Sequence, residues 1–549
     1  MNIFNRNLLA IVVGLCFFIC CSNPANTEQD VEQAKKSATV ALLKQHTESI
    51  SNDSCQGRKP FSYGADLAMM YIATQMKEIG LTPINGNYDK NNLQPADYLQ
   101  EVKLVLCETT PSKHMQIKTE GSPIRNLLKN VDFTAFNIGR TEDVVEIKEA
   151  DLVFAGYGIV APEYGKNDYA GIENPQDKIA VVMVNDPGLG SADSKYFTGD
   201  AMTYYGRWSY KYEEGARHGF KGVLIIHETR GAGYPWSVVE AGAHSKMFVE
   251  EENTTGTQFV CPLTGWLQYD KASQLFTDNG YNMETLIEQA KKPNFKPIPL
   301  RSKLSIKMEN KFERKSSYNV IGYVPGSEDG ANASVVYTAH WDHLGYGLPI
   351  EGDSIINGAS DNATGVAWLL ETARCFKALK NKPAKNIVFI SPTCEETGFL
   401  GTEYYVTHPL FPIEKTAAVI NLDVIPLWGE NNDVTITGYG HFPAMDSLVG
   451  VFAAKYNRYV MPDPESYNGM FFRSDHFPFV KRGVPAIFAK GWNDNRKHGK
   501  EWSAAKVKDY WTRIYHKPLD QTHPETDDYS GAMQEVYLFF DLGVSLGQK

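Results

Sequence analysis

The sequence predicts an α/β protein: a mixed, mostly parallel central sheet with helices on both faces, plus an inserted, mostly-β unit. Three observations carry this. From about Ser317 onward, short buried-type apolar runs alternate with helical stretches, the rhythm of a sheet covered by helices. Between about Val131 and Lys303 the texture changes to short β runs punctuated by glycine and proline. A chain of 549 residues, 42% hydrophobic and 22% charged, is long enough for two domains and excludes disorder, coiled coil and collagen-like repeats.

The chain opens with Arg6 and an apolar run from Leu8 to Ile19, too short to cross a hydrocarbon core of about 30 Å. Residues 1–21 therefore read as a signal peptide. The run ends in Cys20-Cys21 and resembles a bacterial lipoprotein signal with Cys21 acylated, although Cys20 stands where Gly or Ala is usual. Export to the cell envelope, periplasm or outer membrane, is expected, with soluble secretion as the alternative. Membrane contact would come only through an anchor on Cys21. Residues 22–36 read as a polar linker. Helices are expected over Ala38–Ile50 and Tyr63–Ile79, the second stopped by Gly80 and Pro83, and a strand over Glu101–Val105. Residues 37–130 would belong to the main unit, 131–303 to the insert and 304–549 to the main unit again. The insert would hold strands at Asp151–Gly158, Lys178–Val184 and Gly222–Ile226 and a helix over Tyr212–His218. The last part would hold strands at Ser334–Thr338, Asn386–Ser391, Ala417–Asp423, Val434–Thr437 and Ala486–Ala489, with a helix over Ala363–Ala378.

Charge narrows function. Lys+Arg 54 against Asp+Glu 65 leaves −11, which argues against a nucleic-acid partner. Cys55, Cys107, Cys261, Cys375 and Cys394 show no CxxC spacing, and Cys55–Cys107 is the candidate disulfide in an exported chain.

Ligands of such sheets bind beyond the carboxyl ends of the strands. The residues just past each predicted strand are therefore the informative ones. Ala339-His340-Trp341-Asp342-His343 comes after the first, Cys394-Glu395-Glu396-Thr397-Gly398 after the second, and Asp423 ends the third. Gly358-Ala359-Ser360-Asp361-Asn362 opens the helix, and Tyr515-His516-Lys517-Pro518-Leu519-Asp520 lies far downstream. Taken singly, each has a bland reading: a carboxylate as helix cap, a histidine as packed ring, Tyr515 as packed aromatic, Asp520 as cap. Glu395-Glu396, however, is a like-charge pair that needs a cation or a raised pKa. Imidazoles and carboxylates converging on one rim suit zinc, with cobalt or manganese as substitutes. The remaining histidines, His408, His441, His498 and His523, have no partner at ligand spacing. A metallo-β-lactamase-type site fails because its first histidine would fall on Thr338.

These motifs, with Asn421-Leu422-Asp423 and Arg473-Ser474-Asp475-His476-Phe477-Pro478-Phe479, resemble the zinc aminopeptidase family of bacterial leucine aminopeptidases and transferrin-receptor-like proteins. Ala155-Gly156-Tyr157-Gly158, Asp168-Tyr169-Ala170-Gly171 and the stretch from Tyr205-Gly206-Arg207-Trp208 to Gly233-Tyr234-Pro235-Trp236 resemble the protease-associated (PA) domain carried by many members. The resemblance covers about Gln56 to His523 and implies an aminopeptidase-like fold. It implies two zinc ions, one on His340 and Asp423 and the other on Glu396 and His516, with Asp361 bridging and a cis peptide at Asp361–Asn362. It implies Glu395 as general base, Tyr515 as hydrogen-bond donor to the oxyanion and Asp342 as the carboxylate orienting His340. His476 would lie on a substrate-pocket loop. The implied activity is peptide hydrolysis, most simply by an aminopeptidase on peptide substrates. A carboxypeptidase would need cations for the substrate carboxylate, for which Arg473 is a candidate. A glutaminyl-cyclase-like acyltransferase would not require His340, and a receptor-like binding protein would lack ligands or base; here all are kept.

Overall fold

The computed structural model describes residues 26–84, 92–139, 141–242, 245–250, 260–327 and 332–548. The expected signal peptide and Cys21 lie outside them. Among the described residues no helix is long and apolar enough to cross a membrane.

The central sheet is built on Ser334–Thr338, flanked in parallel by Asn386–Ser391 and by Thr416–Asn421, which in turn pairs in parallel with Ala486–Lys490. Beyond these, Asp433–Ile436 runs antiparallel to Ala486–Lys490 and parallel to Tyr459–Pro462. On the opposite edge the end of Ile298–Val324 pairs antiparallel with Asn386–Ser391, and Thr82–Pro83 with Ile298–Val324. This is the expected mixed, largely parallel sheet. Side chains alternate across it. Val335, Tyr337, Ile387, Phe389, Ala418 and Ile420 face one core; Val336, Val388, Ile390 and Val419 face another with Tyr405 and Phe479. Burial on both faces is what selects uniformly apolar strands.

The first core is covered by Thr364–Lys377, buried almost all round, with Val40–Ile50 and Ser530–Gln548 against it. Tyr63–Ile79 starts where the Ser62 side chain accepts from the Ala65 N–H and stops at Gly80, whose φ of 81° suits a residue without Cβ.

A second unit has its own cores. Val144–Phe154, Lys178–Met183, Gly222–His227 and Leu263–Gln268 lie side by side in parallel, with Phe133–Phe136 antiparallel at the edge. Helices such as Trp208–Arg217, Tyr269–Asp278 and Met283–Ala290 cover it, so it is less purely β than its punctuation suggests. Its boundaries also differ from 131 and 303. Met115, Ile117 and Leu127 belong to its core, as do Leu304, Ile306 and Met308. The reason is one strand, Ile298–Val324, whose first half pairs with Val144–Phe154 and whose second half pairs with Leu99–Pro111 before entering the central sheet. No turn residue marks the crossing.

Two further differences concern the N-terminal region. Part of the polar linker is a helix, Glu28–Lys35, held by a Thr27–Asp30 capping box and by Lys35 Nζ 2.8 Å from Asp541. Cys55 and Cys107 are both free and buried, so the candidate disulfide is absent; the Cys107 thiol lies near the Thr109 hydroxyl instead.

Candidate metal centre and active site

The loops at the carboxyl ends of Ser334–Thr338, Asn386–Ser391 and Thr416–Asn421 converge with Ala359–Ala363 and with the segment after Tyr510–Ile514. They bring together all five expected ligand side chains. His340 Nε2 lies 3.3 Å from Asp361 Oδ1 and 3.3 Å from Asp423 Oδ1. His516 Nε2 lies 3.2 Å from Asp361 Oδ2 and 3.2 Å from Glu396 Oε2. Asp361 therefore turns one oxygen to each imidazole. The peptide Asp361–Asn362 is cis, as the family resemblance implies. Cys394, Val424 and His516, beside or within the ligand set, have φ of 57°, 60° and 58°. For a β-branched residue such as Val424 that is a rare, costly conformation of the kind found at functional sites.

The supporting groups explain how the side chains are held. His340 Nδ1 is 3.1 Å from the backbone carbonyl of Asp342 but 3.9 Å from its carboxylate. The tautomer is thus set by that carbonyl, and the Asp342 carboxylate instead accepts the Glu395 N–H at 3.0 Å. Asp520 accepts the backbone N–H groups of Ser360 and Asp361 at 2.9 and 3.0 Å, fixing the turn that carries Asp361. Four further residues support the ligands without having been assigned that role from the sequence. The His343 imidazole lies 2.5 Å from Glu396 Oε1, leaving Oε2 for His516. Ser474 donates to Asp423 Oδ2 at 2.8 Å and accepts from Asn421. Lys490 donates to the Asp423 carbonyl. Arg58, fully buried, donates to the carbonyls of Trp341, Gly358 and Asp361, and to those of Ile50 and Asn357, so it ties two ligand loops together. Of these, His343 and Ser474 belong to motifs visible in the sequence, whereas Lys490 and Arg58 do not.

Electrostatics tests whether a metal fits. Asp361, Glu395, Glu396 and Asp423 crowd around two imidazoles. Burial opposes charge on the rings, but the carboxylates outweigh it: His340 is held protonated well above its usual range by Glu395 and Asp423, and His516 is pushed up to about 10 by Glu396 and Asp361. Burial raises the Glu395 carboxyl well above the usual range, with Asp423 and Glu396 adding to it. The protons stand in for missing positive charge. His516 Nε2 is enclosed and, although close to two carboxylates, has no aligned hydrogen-bond partner. One atom each from His340, Asp361 and Asp423 lie within 4.8 Å of one another, and the same holds for His343, Asp361 and Glu396. A donor set of nitrogen and carboxylate oxygen with excess negative charge fits zinc.

Glu395 Oε2 is 3.9 Å from His340 Nε2 and makes no closer contact to an imidazole among the described residues. The Tyr515 ring stacks on His516 at 3.7 Å, and burial together with the carboxylates Asp361, Glu396, Glu395 and Asp423 keeps its hydroxyl protonated. His476 is fully buried beside Phe471 and Phe488, whereas His408, His441, His498 and His523 are exposed.

A mixed, largely parallel sheet with acid- and imidazole-bearing loops at its carboxyl rim makes this an α/β unit with a candidate metal centre. Residues 319–540 match the model of peptidase family M28. Among curated relatives, a mouse protein named Aminopeptidase NAALADL1 is 31% identical over 140 residues, 24% of this chain and 17% of that protein. A Caenorhabditis elegans Glutamate carboxypeptidase 2 homolog is 34% identical over 128 residues, 22% of this chain and 15% of that protein. The match thus spans less than a fifth of the length of either relative. A solved aminopeptidase from Aneurinibacillus sp. strain AM-1 is similar over 94% of this chain and 96% of its own, at 16% identity and a TM-score of 0.46.

Proposed function

We propose that this protein is an exported, two-zinc aminopeptidase that releases N-terminal residues from peptides. The observation that carries the reading is the placement of the two Asp361 oxygens against two different imidazoles. His340 and Asp423 would hold one ion, Glu396 and His516 the other, with Asp361 shared. Zinc so held supplies Lewis acidity, lowering the pKa of a nearby water and polarising the scissile carbonyl. Glu395, beside the ligands yet not among the close contacts, takes the proton of the attacking water at its carboxylate and passes it to the leaving amine. Tyr515 donates its O–H to the oxyanion. Asp342 holds the Glu395 backbone, and Asp520 holds that of Asp361. The acidic rim suits a substrate ammonium. The segment 1–21 supports export and a lipid anchor on Cys21, and the second unit is read as a PA domain bordering the site.

The test combines zinc content with turnover of amino-acid p-nitroanilides and of N-blocked peptides carrying a free carboxyl end. About two zinc ions per chain, cleavage of free-amine substrates only, and a kcat in Glu395→Gln lower by about 10²–10⁴-fold with zinc retained are expected. Cleavage of the blocked peptides alone would replace the reading by a carboxypeptidase. Absence of bound metal would overturn it.

A further inference from the structure

The residues that match the peptidase family begin at 319, yet the metal centre is gripped from near the start of the chain. The grip comes from the turn Gln56-Gly57-Arg58, between the helices Val40–Ile50 and Tyr63–Ile79. Its three residues have φ of 50°, 67° and 51°. For Gln56 and Arg58 that conformation is costly and persists only where the surroundings impose it. Gly57 is pressed against the hairpin that joins the two ligand loops. A Cβ there would lie 2.3 Å from the Gly345 carbonyl oxygen and 2.6 Å from that of Ile356.

Arg58 is fully buried, and every nitrogen of its side chain is spent on carbonyls. Nε donates to Trp341 at 2.8 Å, Nη1 to Ile50 at 3.2 Å and to Asn357, and Nη2 to Gly358 at 3.1 Å and Asp361 at 3.3 Å. The bonding also runs the other way. The Arg58 carbonyl accepts the His343 N–H at 3.3 Å, and the Asn357 side chain donates to the Ser51 carbonyl and to Asp53, both at 2.9 Å. Burial lowers the Arg58 pKa, and Cys55 with the carboxylates Asp361, Asp520 and Asp342 opposes that from beyond hydrogen-bond reach. A buried cation with no acid bonded to it is a costly way to hold a fold together. Here its fork spans the loop of His340 and His343 and the loop of Asp361. A rigid, planar fork fixes the distance between two loops in a way that an ammonium on a flexible stem does not.

We propose that Arg58 is a positioning residue of the metal centre, setting the separation of the His340 and Asp361 loops. Residues 51–62 are then a working part of an active site whose ligands all lie between positions 340 and 516. The inference rests on the reading of that centre as a zinc site. Linkage makes the effect reciprocal: if the segment strengthens zinc binding, zinc tightens the segment by the same free energy.

The test uses the full chain. Zinc affinity, from competition with a chromophoric chelator, is expected to fall about 10–100-fold in Arg58→Lys, which keeps a cation and loses the fork. Lys35→Met is the control. It breaks the buried Lys35–Asp541 pair at 2.8 Å on the helix Glu28–Lys35, and should lower stability with zinc affinity unchanged. In the cobalt-loaded protein the visible absorption bands should shift in Arg58→Lys and not in Lys35→Met. Millimolar guanidinium should restore part of the zinc affinity of Arg58→Ala, and urea at the same concentration should not. Equal affinity in Arg58→Lys and the parent, or equal losses in Arg58→Lys and Lys35→Met, would overturn the positioning role. If the Arg58 variants do not fold, hydrogen exchange in the unaltered protein decides. Zinc loading is expected to slow exchange over residues 51–62 at least about tenfold and to leave Gly222–His227 of the second unit unchanged. Exchange over 51–62 that ignores zinc refutes the role. A parent that binds no zinc removes the peptidase reading itself, and this role with it.

Discussion

Buried charge is handled in opposite ways at two places in the molecule. In the second unit the buried lysines Lys166 and Lys211 find partners close by. Lys166 Nζ is 2.8 Å from Asp168 with both side chains fully enclosed, and it also donates to the carbonyls of Ala290 and Lys292. Lys211 donates to the carbonyls of Asn185 and Tyr205, and the Asp186 carboxylate adds to its charge balance. At the carboxyl rim of the central sheet, by contrast, Asp361, Glu395, Glu396 and Asp423 outnumber the imidazoles they face. A self-compensated pair serves the fold; an uncompensated cluster asks for a ligand. The sign of the imbalance at the rim suits a metal cation.

The largest effect that could break this contrast is expected from Asp361→Ala. It removes the carboxylate shared by His340 and His516, so zinc measured by plasma emission should fall from about two ions per chain toward none, with activity abolished. In the zinc-free protein Asp361 is paired with the two protonated imidazoles, so the zinc-free variant should unfold at a somewhat lower urea concentration than the zinc-free parent. Unchanged zinc content in the variant would mean that Asp361 is no ligand.

Lys166→Met should do the reverse. Burial has already raised the Asp168 carboxyl, and without Lys166 it loses its ion-pair partner, at a cost of about 3–5 kcal/mol in urea unfolding of the second unit. Zinc content should stay unchanged, and K166M/D168N should recover most of the loss. The smallest effect sharpens the picture of the rim. Ser474→Ala deletes the hydroxyl linking Asn421 to Asp423, and competition with a chromophoric chelator should show zinc affinity lower by about 10–100-fold, with stability little changed.

Much of this was legible because the signals are local. Tyr63–Ile79, Ser334–Thr338 and Asn386–Ser391 have the expected ends, since cap residues and uniformly apolar runs sit next to each other in the chain. The boundary between units was not legible. Ile298–Val324 keeps alternating buried and exposed residues while it changes partners, and nothing in its own sequence records whose strand lies alongside. The helix Glu28–Lys35 was hidden for a related reason: its composition is polar, and docking of Lys35 on Asp541 comes from the far end of the chain.

By itself, then, the sequence determined the chemical types at the rim and which strand ends carry them, because a ligand and the apolar run that presents it lie within a few residues. Tertiary structure alone decided that Asp361 faces two imidazoles, that a backbone carbonyl and not the Asp342 carboxylate orients His340, and that Arg58, His343 and Ser474 brace the ligands. Such matters depend on distances between segments remote in the chain, which only the packing of two cores sets.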